Sequence, residues 1–175
     1  MIDTASDLRK YIRDIPDFPK PGILFRDLTP LLGDAGALSA AVRAIADPFR
    51  DDRVDCVLGT EARGFIFGAA VAVELGAGFV PVRKAGKLPH DLFAVSYELE
   101  YGIDTIEMHV DGVTADDRVL IVDDLIATGG TARATVELAR RAGAEVVGCA
   151  FLIELLALAG RGKLGVERVH TVIEY

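Results

Sequence analysis

Apolar residues along this chain follow two rhythms. Unbroken or nearly unbroken apolar runs recur at 54–58 (V-D-C-V-L), 78–82 (G-F-V-P-V), 119–122 (V-L-I-V) and 145–153 (E-V-V-G-C-A-F-L-I). Such runs belong to strands covered on both faces of a sheet. Helical patterns lie between them, at Ala35–Phe49, Phe65–Leu75 and Arg133–Arg140. A helix over Ala5–Arg13, capped by Thr4, opens the chain. A short helix near Glu154–Ala159 and a strand near Arg168–Ile173 close it. Strands alternating with helices predict an α/β fold: a doubly wound, mainly parallel sheet flanked by helices, with four or five parallel strands.

Two stretches depart from that alternation. Pro16, Pro19, Pro21 and Pro30 crowd I-P-D-F-P-K-P-G-I-L-F-R-D-L-T-P, which excludes regular structure through most of it. Residues 1–32 are therefore expected to form an arm wrapped like a hood over the rest. From Leu92 to Val110 the chain alternates with period two around Tyr101-Gly102. That is a β-hairpin pattern, expected to stand outside the sheet as an exposed ribbon or lid over 87–110.

With 175 residues and 51% hydrophobic content, one domain with a substantial core is expected. Acidic residues outnumber basic ones 27 to 19, a net charge of −8, which argues against a nucleic-acid partner. Positive charge must then be concentrated locally if the protein binds anions, and Arg83, Lys84 and Lys87 are the one dense basic patch. On composition alone, a solvated turn is the favoured explanation of that patch. Cys56 and Cys149 sit in apolar runs and read as buried thiols. The N-terminus is polar, and no apolar run reaches membrane-spanning length, so a cytoplasmic protein with no membrane partner is expected.

The chemistry concentrates in V-L-I-V-D-D-L-I-A-T-G-G-T, 119–131. A buried strand runs into Asp123 and Asp124, then into the small residues Ala127, Thr128, Gly129, Gly130 and Thr131, then into a helix. Open α/β sheets bind ligands at the carboxyl ends of their strands. Glycines let backbone amides approach an anion, and the helix N-terminus favours it. Two acids ahead of such a nest suit a ligand with a diol beside a phosphate. The loop has neither the Lys-Ser/Thr of a Walker loop nor a G-x-G-x-x-G. Glu61-Ala62-Arg63-Gly64 and the basic patch follow two other strands, so three strand ends carry anion-binding residues. Phe25 and Arg26 end the proline-rich arm as a possible stacking pair for a flat base; Phe25 would serve equally as an anchor for the arm. Glu98 and Glu100 share one face of the hairpin. The three histidines share no ligand spacing.

The 119–131 segment resembles the phosphoribosyl pyrophosphate (PRPP) motif of the type I phosphoribosyltransferases. D-F-P-K-P-G-I-L-F-R-D-L-T-P-L-L (17–32), E-A-R-G-F-I-F-G (61–68), G-K-L-P (86–89) and Y-E-L-E-Y-G (97–102) extend that resemblance over nearly the whole chain, with I-E-L-L-A-L-A-G-R-G-K-L (153–164) matching more loosely. The arm and the L-E-Y-G element resemble the adenine-using members. The resemblance implies purine salvage, in which adenine and PRPP give AMP and pyrophosphate with Mg²⁺ carried on PRPP or pyrophosphate. It implies that Asp123 and Asp124 hold the ribose hydroxyls and that Ala127–Thr131 cradle the 5′-phosphate. Arg63, Arg83, Lys84 and Lys87 would bind pyrophosphate, and Leu24, Phe25 and Arg26 would enclose adenine. Glu100 would be the catalytic acid/base, Tyr101 would belong to the lid, and no dedicated protein metal site is implied. A homodimer is implied as well. A transferase for another purine, or a PRPP- or purine-sensing regulator of the same fold, is the alternative.

Overall fold

The computed structural model describes residues 5–98 and 102–175. Its central strand, β7 (Arg118–Ile126), buries alternate side chains on opposite faces. Leu120 and Val122 join one core, and Val119 and Ile121 join the other. The same division separates Val57 from Cys56 and Leu58 in β3 (Cys56–Thr60), and Ala150 and Leu152 from Cys149 and Phe151 in β8 (Glu145–Glu154). Period-two packing on two apolar faces is what makes these strands read as unbroken apolar runs.

The first core is covered by α3 (Ala35–Ala46) and α4 (Gly64–Leu75), and the second by α5 (Gly130–Arg141). Strands β4 (Gly78–Lys84), β3, β7, β8 and β9 (Val169–Glu174) lie side by side and all parallel. α4 carries the chain from β3 outward to β4, while α5 carries it from β7 outward to β8. The winding therefore reverses between β3 and β7. The crevice beyond their carboxyl ends is where such sheets place a ligand.

Several boundaries differ from expectation. The opening helix, α1, stops at Arg9 rather than Arg13. Arg13 instead starts β1 (Arg13–Pro16), which pairs antiparallel with β2 (Leu24–Asp27), so the proline-rich arm contains a two-stranded ribbon. Pro16 and Pro19 fall at and beyond the end of β1, where their missing N–H groups leave the pairing intact. The arm is pinned by Asp27, which accepts hydrogen bonds from Arg13 and from the Thr29 amide and hydroxyl. A short helix, α2 (Thr29–Gly33), begins with Pro30 in its first turn, where a missing N–H costs nothing. The helix expected to reach Phe49 ends at Ala46 and tightens into a 3₁₀ turn across Pro48. Glu154 ends β8, and 3₁₀ turns at Leu156–Leu158 and Arg161–Lys163 replace the short helix expected after it.

The hairpin is not an isolated ribbon. Its strands β5 (Leu92–Glu98) and β6 (Ile103–His109) extend the sheet, with β6 antiparallel to the end of β4 at Arg83 and Lys84. Val95, Ile106 and Met108 are buried in the second core. Thr4, Glu100 and Tyr101 lie outside the described residues. No helix among the described residues is long and apolar enough to cross a membrane.

Candidate active site

The site is built where β3 and β7 end. β7 does not stop at Val122 but continues through both carboxylates to Ile126, so strand pairing fixes the backbone that carries them. Asp123 Oδ1 accepts the Asp124 amide at 2.8 Å. Gly64 opens α4 directly against it: a Cβ there would lie 2.6 Å from Asp123 Oδ1. Asp124 is only 5% exposed. Its Oδ2 faces Arg63 Nε at 2.9 Å but at an angle that makes no hydrogen bond, leaving a buried acceptor unsatisfied. An acceptor in that state suits an incoming hydroxyl donor.

Burial raises the pKa of both acids. The charge of Asp124 pushes Asp123 further up, and Arg63 pulls Asp124 back down. Ionising the pair therefore costs folding free energy, and the cost grows as pH rises past the ordinary carboxylate value.

Beyond the acids, Ala127–Thr131 curve around a small cavity of about 110 Å³ that Asp123 also lines. Gly129 takes φ +80° at the entrance to α5. The back of this loop rests on a residue that sequence reasoning passed over. A Cβ on Gly160 would lie 2.8 Å from Gly129 N, and one on Gly129 would lie 2.5 Å from the Gly160 carbonyl oxygen. Arg161 locks that contact. It is bonded to both carboxylate oxygens of buried Glu154 and donates to the Val169 carbonyl at 2.6 Å. The G-R in A-L-A-G-R-G-K was the available signal, but nothing local to it reveals the loop it supports.

The basic loop after β4 divides. Lys87 Nζ donates to Glu61, Arg83 Nε lies 3.4 Å from the same carboxylate, and the Lys84 amide donates to it at 3.1 Å. The bond from Lys87 is the main reason the Glu61 carboxyl is held below its ordinary pKa. Arg83 and Lys87 thus converge on Glu61, two residues before Arg63. The Lys84 side chain turns away to Asp104 on β6, 3.1 Å distant.

On the far side of Arg63 lies an apolar pocket of about 390 Å³ lined by Phe18, Phe25, Leu28 and Leu32, with Arg63 and Asp27 at its polar edge. The Phe18 and Phe25 rings meet edge to face at 5.2 Å, and the Arg63 guanidinium sits 5.5 Å from the Phe25 ring centre. The bond from the Thr29 amide, reinforced by Arg13, lowers the Asp27 pKa to about 2. Phe25 and Asp27 share one face of β2. The Leu24 and Arg26 side chains do not line the pocket: Leu24 is exposed, while Arg26 pairs with Asp14 and stacks on Tyr175 at 3.6 Å. The hairpin also reaches the site through Tyr97, whose hydroxyl bonds Thr131.

Comparison with known proteins agrees with this geometry. Residues 32–172 match the phosphoribosyl transferase domain. The chain is 58% identical to the adenine phosphoribosyltransferase of Rhodopirellula baltica, over 97% of this chain and 82% of that protein. Among solved structures, the adenine phosphoribosyltransferase of Rhodothermus marinus superimposes with a TM-score of 0.93 at 56% identity, covering 98% of each chain. That of Saccharomyces cerevisiae, complexed with an imino-altritol bisphosphate and adenine, gives 0.91 at 41% identity, covering 96% of this chain and 97% of that one.

Two outcomes are expected. Asp123→Asn keeps the acceptor for the Asp124 amide and removes one buried charge, so its melting temperature should exceed the parent's at pH 8. Both acid pKa values are raised, so this advantage should shrink as pH falls toward about 4, where the unfolded acids protonate. An advantage independent of pH would refute the charge argument. Gly160→Ala forces the backbone of the 127–131 loop away and should cost about 1–3 kcal/mol in urea denaturation; an unchanged midpoint would show that the contact yields freely.

Proposed function

The chain belongs to the adenine phosphoribosyltransferases, purine-salvage enzymes that join adenine to the phosphoribosyl group of PRPP to give AMP and pyrophosphate, and we propose that its strand ends divide that reaction among named residues. Asp123 and Asp124 accept the ribose hydroxyls. Ala127, Thr128, Gly129, Gly130 and Thr131 hold the 5′-phosphate with backbone amides and two hydroxyls. Arg63, Arg83 and Lys87 take the pyrophosphate, with Lys84 contributing through its backbone position beside them. Phe25 stacks on adenine, and backbone groups of Leu24, Phe25 and Arg26 read its edge. What supports this division is the place of Arg63, which faces the unsatisfied carboxylate of Asp124 on one side and the Phe25 pocket on the other.

In the reaction the bond from ribose C1 to pyrophosphate oxygen breaks, and the bond from C1 to adenine N9 forms. The sugar passes through a cation-like state, as in glycoside cleavage. Arg63, Arg83 and Lys87 stabilise the charge gathering on the leaving pyrophosphate. To do so, Arg83 and Lys87 exchange Glu61 for the substrate. Glu100 receives the proton lost from N9, and Tyr101 with the hairpin tip (within 87–110) forms the lid that excludes water. The arm of 1–32 is the hood over the base.

Mg²⁺ fits this site as a passenger on PRPP. The acids supply two carboxylates at a phosphate-binding crevice rather than an enclosing ligand set, and Mg²⁺ keeps waters and favours substrate phosphates. Bound there, it would neutralise charge on the leaving group. A homodimer is supported by α4, which apart from Glu74 carries only apolar residues and glycines yet leaves Val73 83% and Ile66 42% exposed. A helix of that kind is covered in its working state, and a second copy presenting the same face would cover it. The two cysteines, free and buried, suit a reducing compartment, and we place the enzyme in the cytoplasm.

The test is AMP formation from PRPP and Mg²⁺ with adenine, hypoxanthine, guanine and xanthine offered separately. Turnover on adenine alone is expected, and turnover on an oxopurine would overturn the base assignment. Phe25→Ala should raise the KM for adenine by roughly 10- to 100-fold, the worth of one base-stacking ring, with the KM for PRPP little changed. An equal loss for PRPP would make Phe25 an anchor of the arm instead.

A further inference from the structure

A chain of one ion pair and two hydrogen bonds links the two anion-binding loops through the hairpin. Lys84 Nζ lies 3.1 Å from Asp104 Oδ2. The Tyr97 hydroxyl donates to the same oxygen at 3.3 Å, and the Thr131 hydroxyl donates to the Tyr97 oxygen at 3.1 Å. The direction of every bond is forced. Burial works against the charge of Asp104, but the bonds from Lys84, the Thr105 amide and Tyr97 outweigh it and keep the carboxyl below its ordinary pKa. An ionised carboxylate only accepts, so Tyr97 must spend its single proton on Asp104. The phenol oxygen is then left as an acceptor, and the Thr131 proton points at it.

A phosphate is also an acceptor. For Thr131 to hold a 5′-phosphate with its hydroxyl, that proton must leave Tyr97. We propose that Tyr97 is a positioning residue that competes for the Thr131 hydroxyl and so weakens the empty loop's grip on a 5′-phosphate. The proposal rests on the reading of Ala127–Thr131 as the 5′-phosphate loop. The geometry adds a second constraint. A Cβ on Gly130 would lie 3.2 Å from Tyr97 Cδ2, so the ring packs flush on the loop while its oxygen holds Thr131. Ring and hydroxyl therefore have separable roles: the ring shapes the loop, and the hydroxyl sets its affinity. Because the far end of the chain is Lys84, the same bonds tie the basic loop to the state of the phosphate loop.

The variant Tyr97→Phe keeps the ring and removes the competitor. Binding of ribose 5-phosphate, measured by calorimetry, should tighten about 2- to 10-fold, the worth of one neutral hydrogen bond. The KM for adenine should stay unchanged. A purely structural role predicts the opposite sign, so unchanged or weaker ribose 5-phosphate binding overturns the proposal. Asp104→Asn offers Tyr97 a donor in place of the carboxylate and lets the phenol proton turn toward Thr131. It should tighten ribose 5-phosphate in the same sense and serves if Tyr97→Phe folds poorly. Thr131→Val separates the two readings. If it weakens ribose 5-phosphate and abolishes the effect of Tyr97→Phe, both stand. If it leaves ribose 5-phosphate binding intact, the phosphate-loop assignment itself falls.

Discussion

Two adjacent carboxylates at the reversal of the sheet's winding are the constraint on which the rest of this molecule depends. Asp123 and Asp124 are carried by a strand buried on both faces, so their position is as rigid as the core. Their burial makes them costly to ionise, and one arginine, Arg63, partly offsets the cost. That arrangement holds the two acids under electrostatic tension, which a ligand rich in hydroxyls beside a cationic or metal-bearing group would relieve. Buried charge of this kind seldom serves stability; the proposed binding of ribose hydroxyls would account for it here.

Every other part of the site is braced against its neighbour rather than free in solvent. Glu61 holds Arg83 and Lys87 together before any pyrophosphate arrives. Gly160 supports the 127–131 loop from behind, fixed by the Arg161–Glu154 pair at the end of β8. Tyr97 brings the hairpin onto the same loop from the front. The residues proposed to bind substrate are therefore largely arranged in advance, which would reduce the ordering cost of binding. On the proposed assignment, exchanging partners remains as the step substrate would drive: Glu61 for pyrophosphate, Tyr97 for the 5′-phosphate.

Much of this was legible in the sequence because it is written locally. The segment 119–131 states strand, acids, glycine turn and helix in order, and each local preference agrees with the fold. The apolar runs also announced four of the five parallel strands, and the strand expected near Arg168–Ile173 is the fifth. The β1–β2 ribbon was hidden because its prolines sit at positions that donate nothing to the pairing. The hairpin's place at the sheet edge was hidden because period two reports a strand but not its partner. Gly160 and the Glu154–Arg161 pair owe their roles to contacts with residues distant in the chain, and no spacing rule reaches them. Leu24 and Arg26 were grouped with Phe25 by the resemblance, although strand alternation turns their side chains to the other face. The same alternation separates Lys84 from Arg83.

The most direct measurement is a crystal structure of the protein with Mg²⁺ and PRPP bound. The account predicts both ribose hydroxyls within about 2.5–3.2 Å of Asp123 and Asp124, with the 5′-phosphate in the loop of 127–131 and Arg83 and Lys87 released from Glu61. A ribose bound elsewhere, with the Arg63–Asp124 pair undisturbed and Glu61 still clamped, would contradict it.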